Sequence, residues 1–166
     1  MGDLTVRPFR LDDRAALLAL NAYGLKAAGI AVADDYYRGE DFDNIENTYT
    51  ATAGGCMLVG EQDGKIVAMG GIRRVDESTC ELLRMRVYPD YQGRGYGRTI
   101  LELLEREASR LGYRRVTLLT GENQHPAIDL YVRHGYRTAL REVLAGMPSL
   151  HMSKDLAVAD PEALRL

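Results

Sequence analysis

The stretch best suited to hold a charged ligand is Gln92-Gly93-Arg94-Gly95-Tyr96-Gly97. Its three closely spaced glycines let a ligand approach the backbone and permit positive φ without strain. A helix-forming sequence follows directly. The loop would therefore present the unpaired N–H groups of a helix start, backed by the positive end of its dipole. Such a site takes a phosphate or pyrophosphate. Arg94 and Arg98 add positive charge beside it. The spacing excludes two familiar phosphate loops. A Walker A loop ends in Gly-Lys-Ser/Thr, which this turn does not have. A dinucleotide fingerprint, G-x-G-x-x-G, fails from either start: its third glycine falls on Arg98 or on Ile100.

The elements that must position this loop are legible around it. Glu81 to Val87 reads as a strand, stopped by Pro89, which has no N–H for a ladder. The helix from about Tyr96 puts Ile100, Leu104, Ala108 and Leu111 on one face, as in a helix lying on a sheet. Glu102 and Arg106 stand at ion-pair spacing on it, and Gly112 closes it. Arg115 to Leu119 is the next strand. It follows a helical crossover, so it should run parallel to the Glu81 strand. Parallel neighbours that splay apart leave a cleft at their ends. Upstream, Leu4 to Pro8 forms a first strand. Asp12 or Asp13 caps a helix that Gly24 and Gly29 interrupt. Two strands, Cys56 to Glu61 and Ile66 to Val75, flank an Asp63-Gly64 hairpin turn. Downstream, Pro126 opens a short helix ending at Gly135, Tyr136 begins a strand, and Leu150 to Lys154 forms the last one.

The 166 residues suit one domain over residues 1–154 and a short tail over 155–166. A net charge of −3 gives no pull towards nucleic acid or anionic membrane. Cys56 and Cys80 lack metal spacing and are expected as buried thiols. With no signal sequence and no apolar run of membrane length, the expected location is cytoplasmic. His125, His134 and His151 are too scattered for a metal site. His125 stands beside the Asn123 turn, where it could line a cleft; His134 fits a helix C-terminus. The acidic stretch Asp34 to Glu46, with Tyr36, Tyr37 and Phe42 among it, reads as a solvated loop or as a rim attracting a cationic amine.

The spacing Q-x-x-G-x-G between strand and helix, followed by Asn123, Ala127 and Tyr131, resembles the GNAT superfamily of N-acetyltransferases. The resemblance covers roughly Leu4 to Lys154 and is strongest from Glu81 to Tyr136. It implies an α/β (α+β) fold: a central mixed, mostly antiparallel sheet with a V-shaped splay between two parallel strands, flanked by helices. It also implies acetyl-CoA as co-substrate and no metal. Backbone amides of Met85 and Val87, on either side of Arg86, would pair with the pantetheine arm, re-aimed by a strand bulge. After Gln92, the amides of Gly93, Arg94, Gly95, Tyr96, Gly97 and Arg98 would hold the pyrophosphate. Asn123 would contact CoA, and the Tyr131 hydroxyl would lie near its sulfur as the acid for the leaving thiolate. Glu81, eleven residues before Gln92, stands where some members carry a catalytic base. Simple alternation puts it on one face with Leu83, Met85 and Val87, a mostly apolar setting that suits a general base. Water alone is the alternative. The reaction implied is acetyl transfer to a primary amine, either a small amine, an amino-acid-like metabolite or a protein amine, by direct attack in a ternary complex. Dimers are common among such proteins, so a homodimer is an expected state. A non-catalytic acyl-CoA-binding sensor on the same fold would keep the loop and dispense with the acid and base. A nucleic-acid module would need Arg84, Arg86, Arg94, Arg98, Arg114 and Arg115 to form one basic face, and CoA phosphates would already account for several of them.

Overall fold

Short strands with apolar faces, joined by tight turns and one helical crossover, assemble into a seven-stranded sheet. The computed structural model describes residues 2–29 and 40–157. The strands are β1 (Thr5–Pro8), β2 (Cys56–Gln62), β3 (Lys65–Arg74), β4 (Thr79–Val87), β5 (Arg115–Gly121), β6 (Arg137–Leu144) and β7 (Met147–Asp155). The helices are α1 (Arg14–Ala27), α2 (Glu40–Asp43), α3 (Ile45–Thr48), α4 (Tyr96–Arg110) and α5 (His125–Arg133). The sheet order is β1-β2-β3-β4-β5-β7-β6. The β4–β5 neighbours are parallel and the others antiparallel. The expected splay is present. Thr79–Leu82 pair with Arg115–Leu118, and from Leu83 onward no strand among the described residues lies against that edge of β4. Among the described residues no helix is long and apolar enough to cross a membrane.

Each face of the sheet carries its own core. The predicted stripe of α4 is buried at Ile100, Leu104 and Ala108, joined by Leu101, and packs with Leu82, Val116 and Leu118. On the opposite face Leu17 and Leu20 of α1, with Phe42, Ile45 and Tyr49, cover Met57, Val59 and Met69.

β4 does not keep a simple alternation. Met69 pairs with Arg86 while Gly71 pairs with Leu83, so Arg84 and Met85 together stand opposite Gly70. Arg84 takes a φ of +60°, a left-handed conformation that costs a residue with a Cβ about 1–2 kcal/mol. The extra residue reverses the facing of every residue after it in the strand. Met85 and Val87 pack with Leu82 on the α4 side, whereas Leu83 lies on the α1 side. The single apolar face expected for Glu81, Leu83, Met85 and Val87 is thus corrected: the bulge splits it.

A buried ion pair holds the bulge. Arg84 donates from Nε to Asp41 Oδ2 at 3.0 Å and from Nη2 to Oδ1 at 2.7 Å. Its guanidinium lies 4.7 Å from the Phe42 ring centroid, and the Tyr49 hydroxyl donates to the same carboxylate. The Asp41 side chain is only 1% exposed. Burial works against its charge, but the hydrogen bonds and charge of Arg84 outweigh burial and hold the carboxyl below the usual range.

Three other expectations change. Gly24 does not interrupt α1; a Cβ there would meet Arg86 Cδ at 2.3 Å, so this glycine makes room for a side chain. Asp13 precedes α1 but does not cap it, because its carboxylate accepts from Arg7 at 2.8 and 3.0 Å and from the Arg10 N–H. Glu102 accepts from Arg98 at 2.9 Å and faces His134, rather than pairing with Arg106.

Removing one partner of a buried pair strands the other, so Arg84→Ala should lower the unfolding free energy by about 3–5 kcal/mol in urea titration. The acid response has a defined sign. Because the folded-state carboxyl of Asp41 lies below its unfolded value, its contribution is complete above about pH 4 and is lost as pH falls through the folded value. Asp41→Asn should therefore be less stable at neutral pH and lose less on acidification. Identical stability–pH curves for the two proteins would refute this role.

Candidate active site

The loop is anchored at both ends. Gln92 Nε2 donates to Val87 O at 2.9 Å, tying the turn to the end of β4. Gly95, at φ +83°, is the left-handed residue from which α4 starts, and no side chain caps that start. The first-turn amides of this 15-residue helix are thus left to a ligand or solvent. Tyr91 stacks on Tyr96 with centroids 6.5 Å apart, and the Arg94 guanidinium lies 5.2 Å from the Tyr91 centroid. Arg98 is exposed and turned to Glu102.

The splay between β4 and β5 opens a cleft of about 310 Å3. Glu81, Met85 and Arg86 line it from β4, Asn123 and Tyr131 from the chain after β5, and Met147 and Ser149 from β7. Residues far apart in sequence thus meet because two strands diverge. Tyr131 is 6% exposed and packs edge-to-face on Tyr136, with centroids 5.7 Å apart. Burial pushes its hydroxyl up to about 12, with the charge of Arg86 pulling the other way. The hydroxyl therefore keeps its proton across the neutral range. Glu81 carries its carboxylate 3.1 Å from Arg73 Nη2. Asn123 Oδ1 accepts from Gln124 Nε2 at 3.2 Å.

Other candidates fall away from the cleft. His125 is exposed at the start of α5 and does not line it. His151 pairs with Glu142 at 2.8 Å, and His134 contacts Leu130 O at the end of α5. Burial pushes the thiols of Cys56 and Cys80 up to about 11 and about 12, and neither lines the cleft. The arginines close in sequence do not form one basic face: Arg84 turns to Asp41, Arg98 to Glu102 and Arg115 to Asp155, each on a separate carboxylate. Of the acidic stretch, residues 34–39 lie outside the described residues, Asp43 and Glu46 are exposed, and Asp41 is committed to Arg84. Sequence reasoning missed Arg73 and Asp41. For Asp41 the available signal was a charged Arg84 in mid-strand, which demands a counter-ion somewhere.

Residues 26–136 match the family model described as Acetyltransferase (GNAT) family. The chain is 32% identical over 152 residues to "Probable N-acetyltransferase camello" of Xenopus tropicalis, covering 90% of this chain and 68% of that protein. It spans less than two thirds of the length of the related Xenopus laevis and human proteins. The fold superposes on a GNAT-family acetyltransferase of Staphylococcus aureus with a TM-score of 0.82 at 19% identity, over 93% of this chain and all of that one. It superposes on yncA of Salmonella typhimurium, solved with its cofactor acetyl-CoA, with a TM-score of 0.74 at 23% identity, over 94% and 95% of the two chains.

A β-branched residue is poorly accommodated at the +83° φ of Gly95. Gly95→Val should therefore weaken CoA binding by about tenfold or more, measured by calorimetry on protein whose melting confirms a folded state. An unaltered affinity would remove the loop as the anion site.

Proposed function

Because the chain belongs to the Acetyltransferase (GNAT) family, we propose that it transfers the acetyl group of acetyl-CoA to a primary amine by direct attack in a ternary complex. One observation carries this reading: past Leu82 the edge of β4, unpaired with any strand among the described residues, leads through the turn at residues 88–95 to a helix start that no side chain among the described residues caps. An extended amide chain ending in a diphosphate fits that succession of main-chain groups. The amides of Met85 and Val87 would hold the pantetheine arm, those of Gly93 to Arg98 the pyrophosphate, and Asn123 a further part of CoA.

Acetyl-CoA supplies the thioester: the amine nitrogen bonds to its carbonyl carbon, the C–S bond breaks, and the thiolate needs a proton. Tyr131 is the donor of that proton, its hydroxyl kept intact by burial. A β4 amide near Met85 or Val87 steadies the carbonyl oxygen as it gains charge. Glu81 takes the proton of the amine, directly or through water, from a carboxylate oriented by Arg73. Fixing amine and thioester side by side contributes most, up to about 7–11 kcal/mol. No metal is needed. The free thiols Cys56 and Cys80 suit a reducing cytoplasm.

Release of CoA thiol across an amine panel tests the reaction; silence with every amine would leave only an acyl-CoA binder. Tyr131→Phe should lower kcat by about 100-fold with little change in the KM for acetyl-CoA. Since Tyr131 ionises only near about 12, kcat should show no tyrosine-dependent fall below about pH 10. Glu81→Gln should cost about 10- to 100-fold in kcat/KM. A change under about twofold would assign the base to water.

A further inference from the structure

Resting on that reading, we infer that the acceptor is an amine of the amino-acid class, and that Arg86 binds its carboxylate. Charged groups of both signs meet in the cleft: Asp41, Arg73, Glu81, Arg84 and Arg86. Arg73 pairs with Glu81 at 3.1 Å and Arg84 with Asp41 at 2.7 Å. Arg86 has no carboxylate partner among the described residues. Its Nη1 reaches Met85 O at 3.3 Å, and its buried Nε has no hydrogen-bond partner. A buried guanidinium N–H left unpaired is expensive, and an incoming carboxylate offsets that cost.

The fold makes room for this side chain. A Cβ on Gly24 would meet Arg86 Cδ at 2.3 Å and Nε at 2.6 Å, so α1 carries a glycine where the arginine passes. The bulge at Arg84 sets the direction. Met85 packs under Gly70 on the α4 side, and Arg86 is sent to the α1 side. Its side chain passes over Gly24 while Nη1 stays on Met85 O, so the guanidinium lies between α1 and the edge of β4, in the cleft that Ala28 and Asp41 also line. A monoanion suits the cleft better than a phosphate, because Arg73 and Arg84 are already paired with Glu81 and Asp41 and only the single charge of Arg86 is left over. Glu81 for the ammonium and Arg86 for the carboxylate together match a zwitterion. A cationic amine alone, the guest suggested by an acidic rim, would meet the Arg86 charge.

The test uses the full chain and matched acceptors: L-amino acids, their primary amides and their decarboxylated amines. Thiol release should show kcat/KM about 10- to 100-fold higher for the acids. Arg86→Gln should erase that preference by raising the acceptor KM, and Arg86→Lys should restore part of it. A second readout needs no turnover: with CoA present, amino acids should raise the melting temperature of the wild type, amides should not, and Arg86→Gln should not respond. Thiol release with equal or better use of amides would overturn the carboxylate site and leave the acetyltransferase standing. Arg86-dependent stabilisation by acids without any thiol release would support the site and overturn the reaction. Absence of both would overturn the site.

Discussion

The Asp41–Arg84 ion pair is the interaction on which the site depends. A left-handed arginine in mid-strand is unfavourable by itself. Relaxing it would restore regular alternation, return Met85 to the side of Leu83 and move Arg86 off the α1 side. The pair prevents this by fixing the guanidinium between a buried carboxylate and the Phe42 ring. Buried pairs are weak net stabilisers, since desolvation cancels much of their attraction. Its use here is to select one register among those β4 could adopt. Asp41 comes from a four-residue helix, so the strand's geometry is set from a segment that itself borders the cleft.

The bulge also divides labour between the two faces of the sheet. On the α4 side Met85 and Val87 join the core that seats the loop and its helix. On the α1 side Glu81 and Arg86 stay in a polar cleft. One extra residue thus gives one strand an apolar face towards α4 and a charged face in the cleft. Without the reversal, apolar and charged side chains would compete for the same space.

What the sequence made legible was local. The glycine loop, the α4 stripe, the hairpin and the crossover depend on neighbours a few residues apart, and the parallel direction of β5 follows from the crossover, whereas the splay was implied by the family resemblance. The bulge was expected only through family resemblance, and its consequence escaped because strict alternation was carried through it. Asp41 looked like part of an acidic rim because its partner lies 43 residues away. Gly24 looked like a helix breaker because its reason is the Arg86 side chain packed on it. Glu102 had two arginines at equal spacing, and the contact with His134 of the next helix lies on the side of the one it takes. Each of these depends on long-range packing, which periodicity does not encode.

Burial does two opposite things within a few residues of space, and together they couple the two halves of the cleft. It raises Tyr131, which keeps its proton, and it makes the Arg86 cation harder to sustain. The two groups also act on each other: the cation pulls Tyr131 down, and an ionised Tyr131 would favour the cation. An anion held at Arg86, as proposed, would offset the cation's pull, so Tyr131 would hold its proton more firmly. On the proposed reaction, the proton would be given up only when a stronger demand, the charge on a departing sulfur, arises beside it. On this proposal, acceptor binding and the state of the acid would be linked through one arginine, and that linkage requires Arg86 to lie on the side to which the bulge sends it.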